Sequence, residues 1–122
     1  MLPEKVRQLV GRRVRTLRQE QGLNASELAR VMGKTRSLVS QFEAGLLNFT
    51  NETLNLFAEA LGYDELDFYT FPERNVRHAV IDLTRQLNEE SLHNVLEFVI
   101  RAREEQKKTE ERRRRQRERA KI

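Results

Sequence analysis

The chain has no cysteine among its 122 residues, which excludes a disulfide framework and a thiolate metal site. It has only two prolines, Pro3 and Pro72, so long stretches carry nothing that must interrupt a helix. No apolar run approaches the roughly 20 residues of a membrane span. Residues 1–21 are amphipathic and charged throughout, unlike a signal peptide. A cytoplasmic protein with no membrane association is expected. Catalytic parts are also missing. His78 and His93 are isolated from each other, and neither has a second histidine at ligand spacing. There is no glycine-rich phosphate loop and no serine on a strand-to-helix elbow. Glu89 and Glu90 are adjacent, so on a helix they point in different directions and suit its first turn, where the dipole favours acids. The chain is expected to be no enzyme and to need no metal and no cofactor.

Charge is present in quantity, and its distribution says more than the net +4. Residues 1–45 hold nine Lys/Arg against four Asp/Glu, residues 46–100 three against ten, and residues 101–122 eleven against five. A basic first segment, an acidic middle and a basic end suit a protein that presents one side to phosphate.

Residues 22–45, GLNASELARVMGKTRSLVSQFEAG, are the most informative part. They read as two short helices around a tight turn. Asn24 can cap the first, with Glu27 reaching back to complete a capping box. Leu28, Ala29 and Met32 form its apolar stripe, and Gly33 stands where the chain must turn left-handed. Thr35 can cap the second helix and Gly45 stop it. Val39 and Phe42 form the inward side of that helix, while Arg36, Ser37, Ser40 and Gln41 point elsewhere. So small a buried face makes sense when the outer face is the working surface.

This segment resembles the Xre family of helix-turn-helix DNA-binding domains, the fold of the Cro and repressor proteins of lambdoid phages. The resemblance covers roughly residues 6 to 69. It is carried in register by VRTLRQEQGLN at 14–24, SELA at 26–29, SLVSQFEAG at 37–45 and ETLNLFAEALG at 52–62. It implies base reading by Arg36, Ser37 and Gln41, which share an outer wedge of one helix. It also implies a structural pair, Arg18 with Glu43, that ties the first helix to the end of the reading helix. Contacts to the DNA backbone are expected from Arg12, Arg13, Asn24, Lys34, Thr35 and Ser40. The chain departs from the family at Ala25, where glutamine is common, and at Ala44, Leu46 and Leu47, where polar or basic residues are common. Each departure removes a phosphate contact. Backbone N–H groups at helix starts remain available whatever the side chain. Leu46, Leu47 and Phe49 could instead form an apolar patch for a protein partner.

Elsewhere the pattern is helical almost throughout. Val6, Leu9, Val10, Val14 and Leu17 recur at helical spacing after Pro3. Leu54, Phe57, Ala58 and Leu61 follow the cap residue Thr50 and end at Gly62. A single turn at residues 64–69, with Leu66 and Phe68 or Tyr69 inward, closes the domain. The expected fold is all-α: a five-helix lambda-repressor-like helix-turn-helix domain at 1–69, a linker at 70–72, a helical hairpin at 73–105 and a basic charged tail at 106–122. The hairpin is too apolar to bury both stripes in itself. Val80, Leu83, Leu87, Leu92, Val95, Leu96 and Val99 are therefore expected to pair with a second chain, or else to pack back on the same chain. The tail, with six arginines and one glutamate at 112–119, is either a solvated extension or a sequence-independent phosphate contact. The expected function is sequence-specific binding of double-stranded DNA by a homodimeric transcriptional repressor. The alternative is an antitoxin-like or adaptor protein whose hairpin binds another protein.

Overall fold

The computed structural model describes residues 1–122 and holds helices and turns without a strand. Helices α1 (Glu4–Glu20), α2 (Ala25–Met32), α3 (Arg36–Glu43) and α4 (Asn51–Leu61) come first, followed by a 3-10 turn at Glu65–Tyr69. α5 is Val76–Leu83, a second 3-10 turn covers Thr84–Gln86, and α6 is Glu89–Ala120. Two compact units result, Met1–Asp82 and Leu83–Ile122.

Local chemistry sets the helix ends. Asn24 Oδ1 accepts the Glu27 N–H at 2.8 Å, and the Glu27 carboxylate accepts the Asn24 N–H at 3.0 Å, a complete capping box. Thr35, Thr50 and Asn88 cap α3, α4 and α6 in the same way, each accepting a backbone N–H three residues on. Each such cap contributes about 1 kcal/mol. Gly33 ends α2 at φ +68°, a left-handed conformation that only glycine adopts without steric cost.

In the first unit, α1 to α4 and the first 3-10 turn enclose one core. Val10, Val14 and Leu17 enter it from α1, Leu28 and Ala29 from α2, and Val39 and Phe42 from α3. Leu54, Phe57, Ala58 and Leu61 complete it from α4. Phe42 sits between Phe57 and Phe49, with ring centroids 4.3 and 5.1 Å away. Phe49 is thus core rather than surface, so the apolar patch expected from Leu46, Leu47 and Phe49 does not form as a trio. In the 3-10 turn Phe68 alone is buried. Leu66 points to solvent, contrary to the inward position expected for it, because three-residue periodicity puts it off the Phe68 face.

The unit continues past the Thr70-Phe71-Pro72 break to Asp82. The buried Thr70 hydroxyl donates to the Leu66 carbonyl at 2.9 Å. The Phe71 N–H donates to His78 Nδ1 at 2.8 Å, and the two rings stack. His78 is therefore a fastener of this segment. Arg13 completes the attachment: it donates to the Asp67 carbonyl at 2.8 Å and pairs with Asp82 on α5. Of the two helices expected over 73–105, the first is only the eight residues of α5. The second does not stop there, since α6 carries the helix through the arginine-rich segment to Ala120.

α1 and the end of α3 meet at backbone contact distance. A Cβ on Gly11 would lie 2.4 Å from the Phe42 carbonyl oxygen and 2.8 Å from that of Glu43. A Cβ on Gly45 would lie 2.9 Å from Cα of Gln8, and Gly45 is left-handed at φ +76°. The Arg7 Nε–H donates to the Gly45 carbonyl at 3.2 Å. Two turns beyond Gly11 along α1, Arg18 grips Glu43 with Nε–Oε2 at 2.9 Å and Nη2–Oε1 at 2.8 Å, and donates to the Leu23 carbonyl at 2.7 Å.

Two outcomes test this seam. Gly11→Ala should lower stability although alanine is the better helix former. Overpacking against rigid carbonyls costs about 1–3 kcal/mol and outweighs a helix-propensity gain of about 0.5–1 kcal/mol. A melting temperature equal to or above the parent's would show that the seam is looser than drawn. Arg18→Met leaves Glu43 with a mostly buried charge, the two side chains being 11% and 7% exposed. A loss of about 3 kcal/mol is expected in urea unfolding; a loss below about 1 kcal/mol would mean that solvent already screens the pair.

Candidate nucleic-acid interface

α3 divides sharply between its two sides. Val39 and Phe42 are sealed in the core, whereas Arg36, Ser37, Ser40 and Gln41 are all exposed. At 100° per residue these four cover an arc of roughly 140° facing solvent. With only two side chains in the core, the helix would be free to roll, and the seam with α1 removes that freedom. Its C-terminal end is pinned by the Gly11 contact and the Arg18–Glu43 pair, so the outer arc has one orientation. Hydrogen bonding to Glu43 raises the pKa of Arg18 against the opposing effect of its burial. The charge that holds the pair is therefore permanent.

An open hollow lies between α1, the start of α2 and α3. Arg15, Asn24, Ala25, Arg36 and Ser40 rim it, with Arg18, Glu43 and Ala44 at its base and edge. Asn24 Oδ1 is committed to the cap, leaving its amide N–H2 as a donor. Thr35 is placed alike at the start of α3: its oxygen accepts from Leu38, and its O–H can turn outward. The unpaired N–H groups in the first turns of α2 and α3 add donors that depend on no side chain. Lys34, exposed in the turn between the helices, adds a cation. Two arginines, two helix starts and several hydroxyl or amide donors make a surface suited to an anionic ligand.

Arg15 was not singled out by the sequence, although a signal existed. It lies three residues before Arg18, so it shares the side of α1 that faces Glu43 and α3. Arg13 requires a correction in the other direction. It is 5% exposed and committed to Asp67 and Asp82, so it is not available to a phosphate. Arg12 is exposed but borders Pro72, Glu73 and Asp82 on one side and Lys5, Gln8 and Arg74 on the other. Neither α1 residue shares the hollow with Arg36 and Ser40. Leu46, just past α3, is 72% exposed, an apolar group beside an otherwise polar surface.

The residues expected to pair two chains are distributed over both units. In the first, Val80 on α5 is exposed. In the second, Leu83 is 78% and Leu96 54% exposed, Leu87 and Val99 are exposed, and Leu92 and Val95 are half-buried. Phe98, absent from that expectation, is 72% exposed. No helix is long and apolar enough to cross a membrane.

Comparison with known proteins agrees with this geometry. Residues 14–68 match the family model described as Helix-turn-helix. No curated protein matches the chain in sequence. Among solved structures, the restriction-modification controller protein C.AhdI from Aeromonas hydrophila is 29% identical, with a TM-score of 0.52 over 53% of this chain and 94% of that one. The clp gene regulator ClgR from C. glutamicum is 26% identical, with a TM-score of 0.51 over 52% and 83% of the two chains. The hypothetical transcription factor NHTF from Neisseria is 26% identical, with a TM-score of 0.55 over 63% and 90%. The matched span begins in the middle of α1 and ends at Phe68, so it takes in α2, α3, α4 and the core they share. Residues 14–68 are a helix-turn-helix domain of the Xre/Cro-like family, the family of these transcription regulators.

Proposed function

We propose that the protein is a transcription regulator that binds double-stranded DNA sequence-specifically, as a homodimer, and represses. The observation that carries this reading is the outer arc of α3, four exposed polar side chains on a helix whose other side is locked by α1. A helix of this size can enter the major groove, where Arg36 would fork onto a guanine edge and Gln41 onto an adenine edge, with Ser37 between them. Asn24, Lys34, Thr35 and Ser40, together with Arg15, would hold phosphates around that contact, and the helix starts would add backbone donors. A repressor needs nothing beyond occupancy of its site.

The dimer reading rests on the exposed and half-buried apolar side chains of the second unit. Leu92, Val95, Leu96 and Val99 recur along α6 at the three- and four-residue spacing of a helix-pairing seam. Two domains held together would bind two half-sites with the advantage of effective concentration. The other reading, an adaptor or antitoxin-like protein, uses the same side chains for a different chain. Phe98 favours it, because Phe98 lies off the seam and would stay exposed in a simple pair.

Selection of bound fragments from a random duplex pool tests the DNA reading. The parent should return a pseudo-palindrome with half-site centres ~34–36 Å apart. Gln41→Ala should relax one position per half-site by about 1–3 kcal/mol of discrimination and spare non-specific affinity. An unchanged motif with both Gln41→Ala and Arg36→Ala would remove α3 as the reading element.

Leu96→Glu tests the dimer, because it puts a charge in the middle of the seam while keeping a good helix former. Sedimentation at tens of micromolar, on the order of usual assay concentrations, should show a dimer for the parent and a monomer for the variant, with loss of operator affinity. A parent that sediments as a monomer would turn the apolar seam over to another protein.

A further inference from the structure

α6 changes character along its length while remaining one helix. It runs 32 residues, roughly 48 Å at 1.5 Å per residue. In its middle the charges are balanced within the helix. Arg101 pairs with Glu97, Lys107 with Glu104 and Lys108 with Glu105, at 3.8 to 3.9 Å. Beyond residue 111 that balance stops. Arg112, Arg113, Arg114, Arg115, Arg117 and Arg119 are all exposed, and none forms an ion pair.

Their spacing is unfavourable for an isolated helix. Arg112 with Arg115 and Arg114 with Arg117 are three apart, and Arg113 with Arg117 and Arg115 with Arg119 four apart. On a helix each of these like-charge pairs repels. A solubilising extension would alternate its signs, as residues 97–108 do. The arginines also occupy both sides: 112, 115 and 119 share one, and 113, 114 and 117 the opposite one. No apolar face accompanies them, so a partner that binds by burial has nothing to cover. A dense polyanion is different, since it relieves the repulsion and accepts the forked guanidinium donors on paired oxygens. The charge density matches as well. Residues 112–121 hold six arginines and one lysine against one glutamate over a rise of roughly 14 Å, about one cation per 2 Å. Duplex DNA carries one phosphate per about 1.7 Å of axis, and a single strand about half that density.

We propose that the arginine segment of α6, residues 112–119, is a second DNA-binding element, a sequence-independent contact for the phosphates of duplex DNA that is separate from α3. The choice of duplex DNA rests on the function proposed above. The charge argument does not.

The test uses the full chain with all six arginines changed to glutamine, and with the two triple sets, Arg112, Arg115 and Arg119 or Arg113, Arg114 and Arg117, changed separately. Glutamine keeps helix propensity, and circular dichroism checks that helix content is retained. Affinity is measured for a selected operator and a random duplex across a salt series. The six-fold variant should weaken both duplexes by a similar factor, about tenfold or more at low salt, and flatten the log–log slope by about two units or more. Each triple should give an intermediate slope. Parallel lines for parent and six-fold variant would overturn the proposal, as would a loss confined to the operator. A loss of binding to an RNA duplex or to anionic vesicles with an unchanged DNA slope would also overturn it and assign the segment to that polyanion. The two readings fail separately. A parent that selects no motif but whose random-duplex slope flattens in the six-fold variant keeps this element and loses base reading by α3. A motif that relaxes with Gln41→Ala while the slopes stay parallel does the reverse. Absence of duplex binding by the parent at low salt defeats both.

Discussion

The close approach of α1 to the C-terminal end of α3 is the constraint on which the first unit depends. Backbone meets backbone at Gly11 and Gly45, and Arg18 closes on Glu43 with two hydrogen bonds. Without it, an eight-residue helix with two core side chains would have many orientations of similar energy. Hydrophobic burial is roughly proportional to area and has no direction, so it selects contact without selecting angle. Carbonyl oxygens against a glycine, and a guanidinium fork on a carboxylate, do select angle. The arrangement of Arg36, Ser40 and Gln41 toward solvent follows from that seam.

The same contrast separates the arginines of α1. Arg12, Arg13, Arg15 and Arg18 lie within two turns, yet they have four different surroundings. Arg18 faces α3, Arg15 rims the hollow beside it, Arg13 is buried against Asp67 and Asp82, and Arg12 borders Pro72 and Glu73. A helix turns 100° per residue, so neighbours in sequence leave it in different directions. What each cation does is settled by the element that crosses its side of the helix. α5 and the loop before it capture Arg13, and that capture carries the first unit on to Asp82.

Charge acts differently in the two units. In the first it is mostly placed: Arg13 and Arg18 each have a fixed acidic partner and several hydrogen bonds, and they organise the fold. In α6 it is distributed along a solvated helix, with pairs in the middle and none beyond residue 111. Placed charge gives geometry, and distributed charge gives a field. The proposed division of labour, reading at α3 and phosphate attraction at the end of α6, follows from that difference.

Much of this protein was determined by sequence alone, because the signals concerned are local. The caps at Asn24, Thr35, Thr50 and Asn88, the left-handed stops at Gly33, Gly45 and Gly62, and the apolar stripes of α1 to α4 each depend on residues within one or two turns. The outward side of α3 was legible for the same reason, since Val39 and Phe42 mark the inward side and Arg36, Ser37, Ser40 and Gln41 fall on the arc opposite them. Only the tertiary structure decided what depends on distant partners. Gly11 reads as an ordinary helix residue until the Phe42 carbonyl lies against it. Phe49 reads as part of a surface patch until its ring meets Phe42, and Leu66 and Phe68 are told apart only by which faces the core. Arg13 reads as a phosphate contact until Asp82, sixty-nine positions later, takes its guanidinium. Periodicity reports which side of a helix is apolar; which neighbour covers that side, and at what distance, is settled only when the chain has closed on itself.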